Sequence, residues 1–313
     1  MNVLVVNAGS STLKYQDIDT KSHKVSAKGS CERVCFTGGT FTHAANGSKK
    51  VTENIEFPDH KVAIEVVLKD LEANGVKIEG IGHRIVQGGW YFGDSSLVDE
   101  DVLAKIREVA PLAPLHNNPE ANVIEYCLEQ YPDLPNVTVY DTAFHFNMPE
   151  VAKTYALPKD VCDKLHIRKY GAHGTSYRYI SKKVAEMTNG EARKVVVCHI
   201  GSGASLCAIE DGKCMDTTMG LTPLEGVLMG TRSGDIDPAA IPYLMKKLNM
   251  TAEETVTFLN KKCGVLGVSE LSSDFRDLEK AAEEGNEKAI TARTMFCYRI
   301  KKYIGAFAAA LGG

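Results

Sequence analysis

The 313-residue sequence lacks most of the short signatures that announce a chemistry. It has no G-x-x-x-x-G-K-[ST] loop, and Gly201-x-Gly203 is without the third glycine and following helix of a dinucleotide fingerprint. A P-loop and a Rossmann site are therefore excluded on pattern. The nine cysteines include no C-x-x-C pair, are odd in number and mostly lie in apolar runs, so a reducing cytoplasm is expected rather than a disulfide framework. No apolar run approaches the ~18 residues that span a bilayer. The start, MNVLVVNAGSS, has neither the basic region nor the long apolar stretch of a signal peptide. Neither secretion nor membrane insertion is expected. A positive surplus is also missing: the net charge of −4 supplies no field for a nucleic-acid backbone or an anionic membrane. Any phosphate site must be local.

What is present reads as a compact α/β protein of two domains, with 44% hydrophobic and 24% charged residues. Val3 to Val6 reads as a short buried strand that runs into the small-residue turn Asn7-Ala8-Gly9-Ser10-Ser11 and a second strand, Leu13 to Ile18. The order recurs in the middle of the chain: strand Lys194 to His199, turn Gly201-Ser202-Gly203, strand Leu206 to Ile209, then an Asp211-Gly212 turn. Superposing Asn7-Ala8-Gly9-Ser10 on His199-Ile200-Gly201-Ser202 suggests an internal duplication, hence two related lobes and a ligand cleft. Helices are expected over Asp59 to Asn74, Ser176 to Asn189, Thr251 to Cys263 (opened by a Thr251 and Glu254 capping box) and from Asn286 onward. The last becomes wholly apolar and small, Ala306 to Leu311, and expects a covering partner. The lobe boundary is placed after the β-branched run Val137 to Tyr140, giving lobes of residues 1–142 and 143–313.

Several residues stand where chemistry is plausible. Phosphates need backbone N–H groups at close approach and cations that meet redistributing charge. The Asn7 to Lys14 and His199 to Ser205 loops qualify together, although each alone reads equally as a turn and Lys14 equally as an exposed strand lysine. Arg84 in GHRIVQGG and Arg232 in MGTRSGD are flanked by glycines, which suits a guanidinium fork aimed at carboxylate or phosphate rather than a packed side chain. Asp141 ends a strand, where α/β clefts place functional groups, and could equally cap a helix. His173 lies between glycines among cations. His116, after Ala113-Pro114-Leu115, reads as mid-loop. Asp274-Phe275-Arg276 has no protein-kinase glycine loop or catalytic loop with it.

Together NAGSSTLKYQ, GHRIVQGG, APLHN, DTAFHFNMP, RKYGAHGTS, HIGSGAS, TTMGLTPLEGVLMGTRSGDIDP and CGVLGVSELSSDFRDLE resemble, in order and over essentially the whole chain, the acetokinase family of the sugar kinase, Hsp70 and actin superfamily. The resemblance implies a two-lobed actin/Hsp70-like ATPase fold with duplicated mixed-sheet domains. It implies a carboxylate- and phosphate-binding first lobe, a nucleotide-binding second lobe, and reversible phosphoryl transfer between ATP and acetate, giving acetyl phosphate and ADP. Carried over by residue, Asn7 helps hold Mg²⁺, or Mn²⁺ in its place. Lys14, His199, Ile200, Gly201, Ser202, Gly203, Asp274, Phe275 and Arg276 contact the nucleotide. Arg84 binds the carboxylate, Asp141 acts in the active site, His173 and Arg232 stabilise the transition state, and Val86, Leu115, Ala172 and Pro223 wall off the acyl methyl group. A cytoplasmic homodimer is implied, with no nucleic-acid or membrane partner.

The sequence also departs from the family pattern. Ala172 replaces phenylalanine, which predicts a roomier pocket admitting propionate. Gln87 replaces histidine, Ser202 asparagine, Tyr177 histidine and Glu120 asparagine. The family's further strand, Gly-Ile-Gly-Glu-Asn loop and later glutamate have no counterpart before Gly313, so the second lobe is expected to be incomplete. Propionate or another short carboxylate as substrate, a non-catalytic nucleotide-binding paralogue, and a sugar kinase are the competing readings. The last would need a base and several polar contacts for a hydroxyl acceptor.

Overall fold

The computed structural model describes residues 1–45 and 48–313, and the side chain of Leu115 also lies outside the described residues. The chain divides into two compact units, Met1–Ala143 and Phe144–Gly313.

Unit 1 is built on an eight-stranded mixed sheet. Its first five strands, β1 (Asn2–Ala8), β2 (Thr12–Asp19), β3 (Val25–Glu32), β4 (Gly39–Ala45) and β5 (Ser48–Ile55), form an antiparallel meander. Helix α1 (His60–Ala73) then carries the chain across to β6 (Gly80–Ile85), which pairs parallel with β1. After β7 (Ser96–Leu97), helices α2 (Glu100–Glu108) and α3 (Pro114–Gln130) lead to β8 (Asn136–Tyr140), parallel to β6. Parallel neighbours need such helical crossovers. Asp59 caps α1 by accepting the Val62 N–H at 2.9 Å, and Gly75, at φ +70°, takes the left-handed position that closes the helix.

Ala63, Ile64, Val67, Leu68 and Leu71 of α1 and Val123 and Cys127 of α3 pack on Leu4, Val6, Leu13 and Tyr15. The expected buried strand is buried on one face only: Val5 is 40% exposed between Leu4 and Val6. An antiparallel meander can leave one face to solvent, whereas a strand covered on both sides cannot. His116 is likewise corrected from loop to helix, since Pro114 opens α3 at the position where its fixed φ and missing N–H cost nothing.

Unit 2 contains α4 (Glu150–Lys153), α5 (Lys159–Leu165) and α6 (Gly174–Met187), then a three-stranded antiparallel sheet of β9 (Lys194–Ile200), β10 (Ala204–Glu210) and β11 (Lys213–Thr217) in the order β11-β10-β9. Helices α7 (Ala240–Leu248), α8 (Ala252–Lys261), α9 (Gly264–Ser269), α10 (Phe275–Glu283) and α11 (Glu287–Ala310) follow. The capping box of α8 is present: Thr251 accepts the Glu254 N–H and Glu254 accepts that of Thr251.

Strand β10 is buried on both faces. Leu206 and Ala208 meet Ala289, Ala292, Phe296 and Phe307 of α11, while Cys207 and Ile209 meet Tyr177 of α6 and Met148. The apolar end of α11 is only partly covered, with Phe307 and Leu311 buried and Ala306, Ala309 and Ala310 exposed. One helical stripe suffices to meet a sheet, so the other small residues face outward.

Candidate active site

In unit 1 the parallel strands bring three predicted residues together. Arg84 near the end of β6 is two-pronged on Asp141 after β8, Nη2 to Oδ2 at 2.6 Å and Nε to Oδ1 at 3.3 Å, while Nη1 donates to Asn7 Oδ1 of β1 at 3.0 Å. All three lie toward the carboxyl ends of parallel strands, where open α/β sheets put their ligands. Burial opposes the Arg84 charge, and the Asp141 carboxylate outweighs it, so the guanidinium pKa lies above its ordinary value. Lys14 is the strand partner of Asn7 across β1 and β2. With Asn7, Lys28 and Lys49 it lines a concavity of about 690 Å³.

The segment after Arg84 is held by residues that the motif reading passed over as positioning groups. Asn117 of α3 accepts the Gln87 N–H and donates to the Gln87 carbonyl. Glu120, one turn on, accepts the Val86 N–H at 3.1 Å, and Thr142 accepts the Gly88 N–H at 3.0 Å. Glu120 is almost wholly buried and its Oε1 has no hydrogen-bond partner among the described residues. Burial pushes its pKa up to about 8, against the pull of the Val86 N–H and Arg84, with Asp141 adding to the rise. At neutral pH it is chiefly the uncharged acid. The only cue in the sequence is a glutamate where the family carries an amide. Val86 is buried beside this contact, and the Leu115 side chain lies outside the described residues.

In unit 2 the convergence is on Gly203. A Cβ built there would lie 3.6 Å from both Arg232 Nη1 and His173 Nε2. His173 caps α6 from the left-handed region at φ +59°, its Nδ1 is 2.8 Å from Ser205 Oγ, and its ring stacks on His199 with centroids 4.0 Å apart. Tyr177 OH meets the same Ser205 hydroxyl, so Ser205 links the two rings. His199 is held in turn by Ser176 at 3.0 Å. Arg232 donates to the Pro223 carbonyl at 3.1 Å and makes no ion pair among the described residues. Burial lowers its pKa, which leaves a guanidinium still charged at neutral pH.

The turn Gly201-Ser202-Gly203 follows half-exposed Ile200 and is tied to the Arg232 segment by the Gly230 N–H donating to the Ser202 carbonyl at 3.2 Å. Ser273 also comes against Gly230. Next to it, half-buried Asp274 caps α10 and pairs with exposed Arg276, while Phe275 turns inward onto Phe296. Ala172 is buried, with its carbonyl 2.9 Å from His145 Nε2.

The geometry in each unit is that of cations presented to an anion, and the comparisons with known proteins bear on which anion. A sequence profile of the acetokinase family matches residues 2–313. The chain belongs to the acetokinase family. Acetate kinase of Caldicellulosiruptor bescii is 53% identical over an alignment covering all of this chain and 80% of that protein. Among solved structures, Porphyromonas gingivalis acetate kinase superposes with a TM-score of 0.91 at 42% identity, covering all of this chain and 80% of the other. A Francisella tularensis propionate kinase gives a TM-score of 0.94 at 38% identity, covering 98% and 80%. Membership of the acetokinase family makes the chain a kinase and implies ATP as its phosphoryl donor. The mixed α/β fold is consistent with the actin/Hsp70-like class expected from the motifs. Among the described residues no helix is long and apolar enough to cross a membrane.

Proposed function

We propose that this kinase transfers the γ-phosphoryl group of ATP to acetate, reversibly, giving acetyl phosphate and ADP. The observation that carries the reading is the approach of Arg232 Nη1 and His173 Nε2 to one glycine turn. Phosphoryl transfer asks chiefly for positioning and charge stabilisation, which these two groups supply to the equatorial phosphate oxygens. Arg84 holds the acceptor carboxylate through its guanidinium face, oriented by Asp141 and Asn7. The acceptor, with a pKa of about 4, is already ionised near pH 7, so no general base is required. Its oxygen bonds to phosphorus as the bond from phosphorus to the ADP oxygen breaks. Lys14, the turn from His199 to Gly203 and the Asp274 to Arg276 segment serve the nucleotide. By the family resemblance, Val86, Leu115, Ala172 and Pro223 serve the acyl group.

Magnesium, or manganese in its place, fits the donors present, because the Asn7 amide oxygen and the Asp141 carboxylate are hard oxygen ligands that sit together on Arg84. When bound, the ion would neutralise charge on the nucleotide phosphates. The reading extends to a cytoplasmic homodimer serving acetyl-CoA biosynthesis, with residues 1–142 as carboxylate lobe and 143–313 as nucleotide lobe. A second reading, propionate as acceptor, is favoured by Ala172, where a small side chain replaces the family's phenylalanine.

Hydroxylamine trapping tests both readings: with ATP, magnesium and carboxylate, the 313-residue chain should yield the acyl hydroxamate. No product from either carboxylate, while the folded chain binds ATP, would favour the nucleotide-binding alternative. A large preference for acetate in kcat/KM would remove the propionate reading.

A further inference from the structure

Behind the His173 loop lie three buried residues that the proposed reaction does not use. His145 follows β8 by a few residues, Cys207 is on β10 and Cys214 on β11. His145 Nδ1 is 3.0 Å from Cys214 Sγ, the two sulfur atoms are 3.5 Å apart, and all three atoms lie within 4.8 Å of one another. A tetrahedral zinc ion with Zn–S of about 2.3 Å and Zn–N of about 2.05 Å has S···S edges of about 3.8 Å and S···N edges of about 3.6 Å. Against these, the S···S edge here is about 0.3 Å shorter and the His145–Cys214 S···N edge about 0.6 Å shorter. That is within the reach of small side-chain rotations.

The imidazole is also presented as a ligand. Its Nε2 lies 2.9 Å from the Ala172 carbonyl oxygen. A carbonyl only accepts, so Nε2 carries the proton and Nδ1 turns its lone pair toward the sulfurs. Metal-bound histidines use the same outer hydrogen bond to fix tautomer and ring orientation. The backbone of Gly171, at φ +76°, lies against the ring so closely that a Cβ there would be 2.6 Å from it. The ring is thereby clamped from the loop side.

We propose that His145, Cys207 and Cys214 supply three of the four ligands of a buried site for a thiophilic divalent cation, zinc, within unit 2, the fourth position falling to a water. Charge selects the ion: two thiolates and a neutral imidazole balance Zn²⁺ exactly as a buried site requires, whereas Cu⁺ would leave a negative charge without a partner. Binding replaces two S–H protons by two Zn–S bonds and releases both protons to solvent. Because the sulfurs are enclosed, the ion enters during folding. Occupancy would brace the Ala172–His173 loop through the His145 contact to the Ala172 carbonyl.

The test uses the full chain produced in zinc-supplemented medium and dialysed against a weak chelator. About one zinc per chain is expected by elemental analysis, falling to a small fraction in Cys207→Ala/Cys214→Ser and unchanged in Cys198→Ser/Cys297→Ser, which alters exposed cysteines. Chain produced with cobalt in place of zinc should show thiolate-to-cobalt charge transfer and the intense visible bands of a tetrahedral site, a readout that needs no variant to fold. Zinc content equal in wild type and the Cys207/Cys214 variant, loss of zinc on changing the exposed pair, or a cobalt form without charge transfer would each overturn the proposal.

Discussion

The two three-stranded meanders, β1-β2-β3 in unit 1 and β9-β10-β11 in unit 2, share strand order and antiparallel pairing but differ in what surrounds them. In both, a glycine N–H closes the first turn, Gly9 onto the Thr12 carbonyl and Gly201 onto the Gly203 carbonyl. The second turn is one residue shorter, since Ala8 pairs with Leu13 while Ile200 pairs with Ala204. Strand β1 continues the sheet through parallel β6 and β8, whose ends deliver Arg84 and Asp141 already paired. Among the described residues β9 has no neighbour on its outer edge, and the groups around its turn, His173 and Arg232, come from a helix start and a loop. The same hairpin thus serves a cation with a carboxylate counterpart in one unit and a cation without one in the other.

That contrast can be broken most forcefully at the arginines. Arg84→Ala should destabilise unit 1 by about 3–5 kcal/mol, because Asp141 would remain buried without its cation, and should raise the KM for carboxylate. Urea unfolding of this variant against Arg84→Ala/Asp141→Asn measures it, and no recovery in the double variant would mean the pair is not the cause. Arg232→Ala has no carboxylate to strand. It should leave stability within about 1 kcal/mol while kcat falls by about 10²–10³, the scale of a lost transition-state donor. A comparable loss of stability in both single variants would erase the distinction.

Glu120 sharpens the comparison by pH. Its folded pKa is raised from 4.5 to about 8. The neutral acid therefore favours the fold fully below about pH 4.5, and that contribution is lost as pH rises toward 8, at up to about 1.4 kcal/mol per pH unit. Melting temperatures of wild type and Glu120→Gln should converge in acid and diverge in favour of the amide toward pH 8; parallel curves would place the ionisation elsewhere. Ala172→Phe should shift the acetate-to-propionate ratio of kcat/KM toward acetate by about 1–3 kcal/mol. The smallest effect is expected at Ser205→Ala, which removes one hydrogen bond from His173 and should raise the barrier to turnover by about 1 kcal/mol, lowering kcat roughly fivefold with KM for acetate unchanged. A change in KM alone would argue that Ser205 acts on binding.

Local elements were readable wherever a side chain signals its own backbone. Asp59, Thr251 and Asn286 each cap the helix whose start they predict, because short-range capping depends on neighbours in sequence. The strands of both hairpins follow from apolar runs and turns for the same reason. One-sided exposure of Val5 was not readable, since it depends on which sheet face a distant helix covers. Glycine-flanked Arg84 and Arg232 marked themselves as candidates, yet the partners that separate them, Asp141 for one and the Pro223 carbonyl for the other, are tertiary facts. Asn117 and Thr142 were silent because an amide or hydroxyl binding a backbone group looks like any other polar residue in a helix or turn.

One consequence concerns selection for stability. His173 occupies a left-handed backbone position at φ +59° that glycine adopts freely and that costs other residues about 1–2 kcal/mol. Directed evolution for heat tolerance, screened by solubility alone, would be drawn to His173→Gly as a relief of that strain. Such a lineage would gain degrees of melting temperature while discarding the imidazole beside Gly203, so robustness and turnover would have to be selected together at this codon.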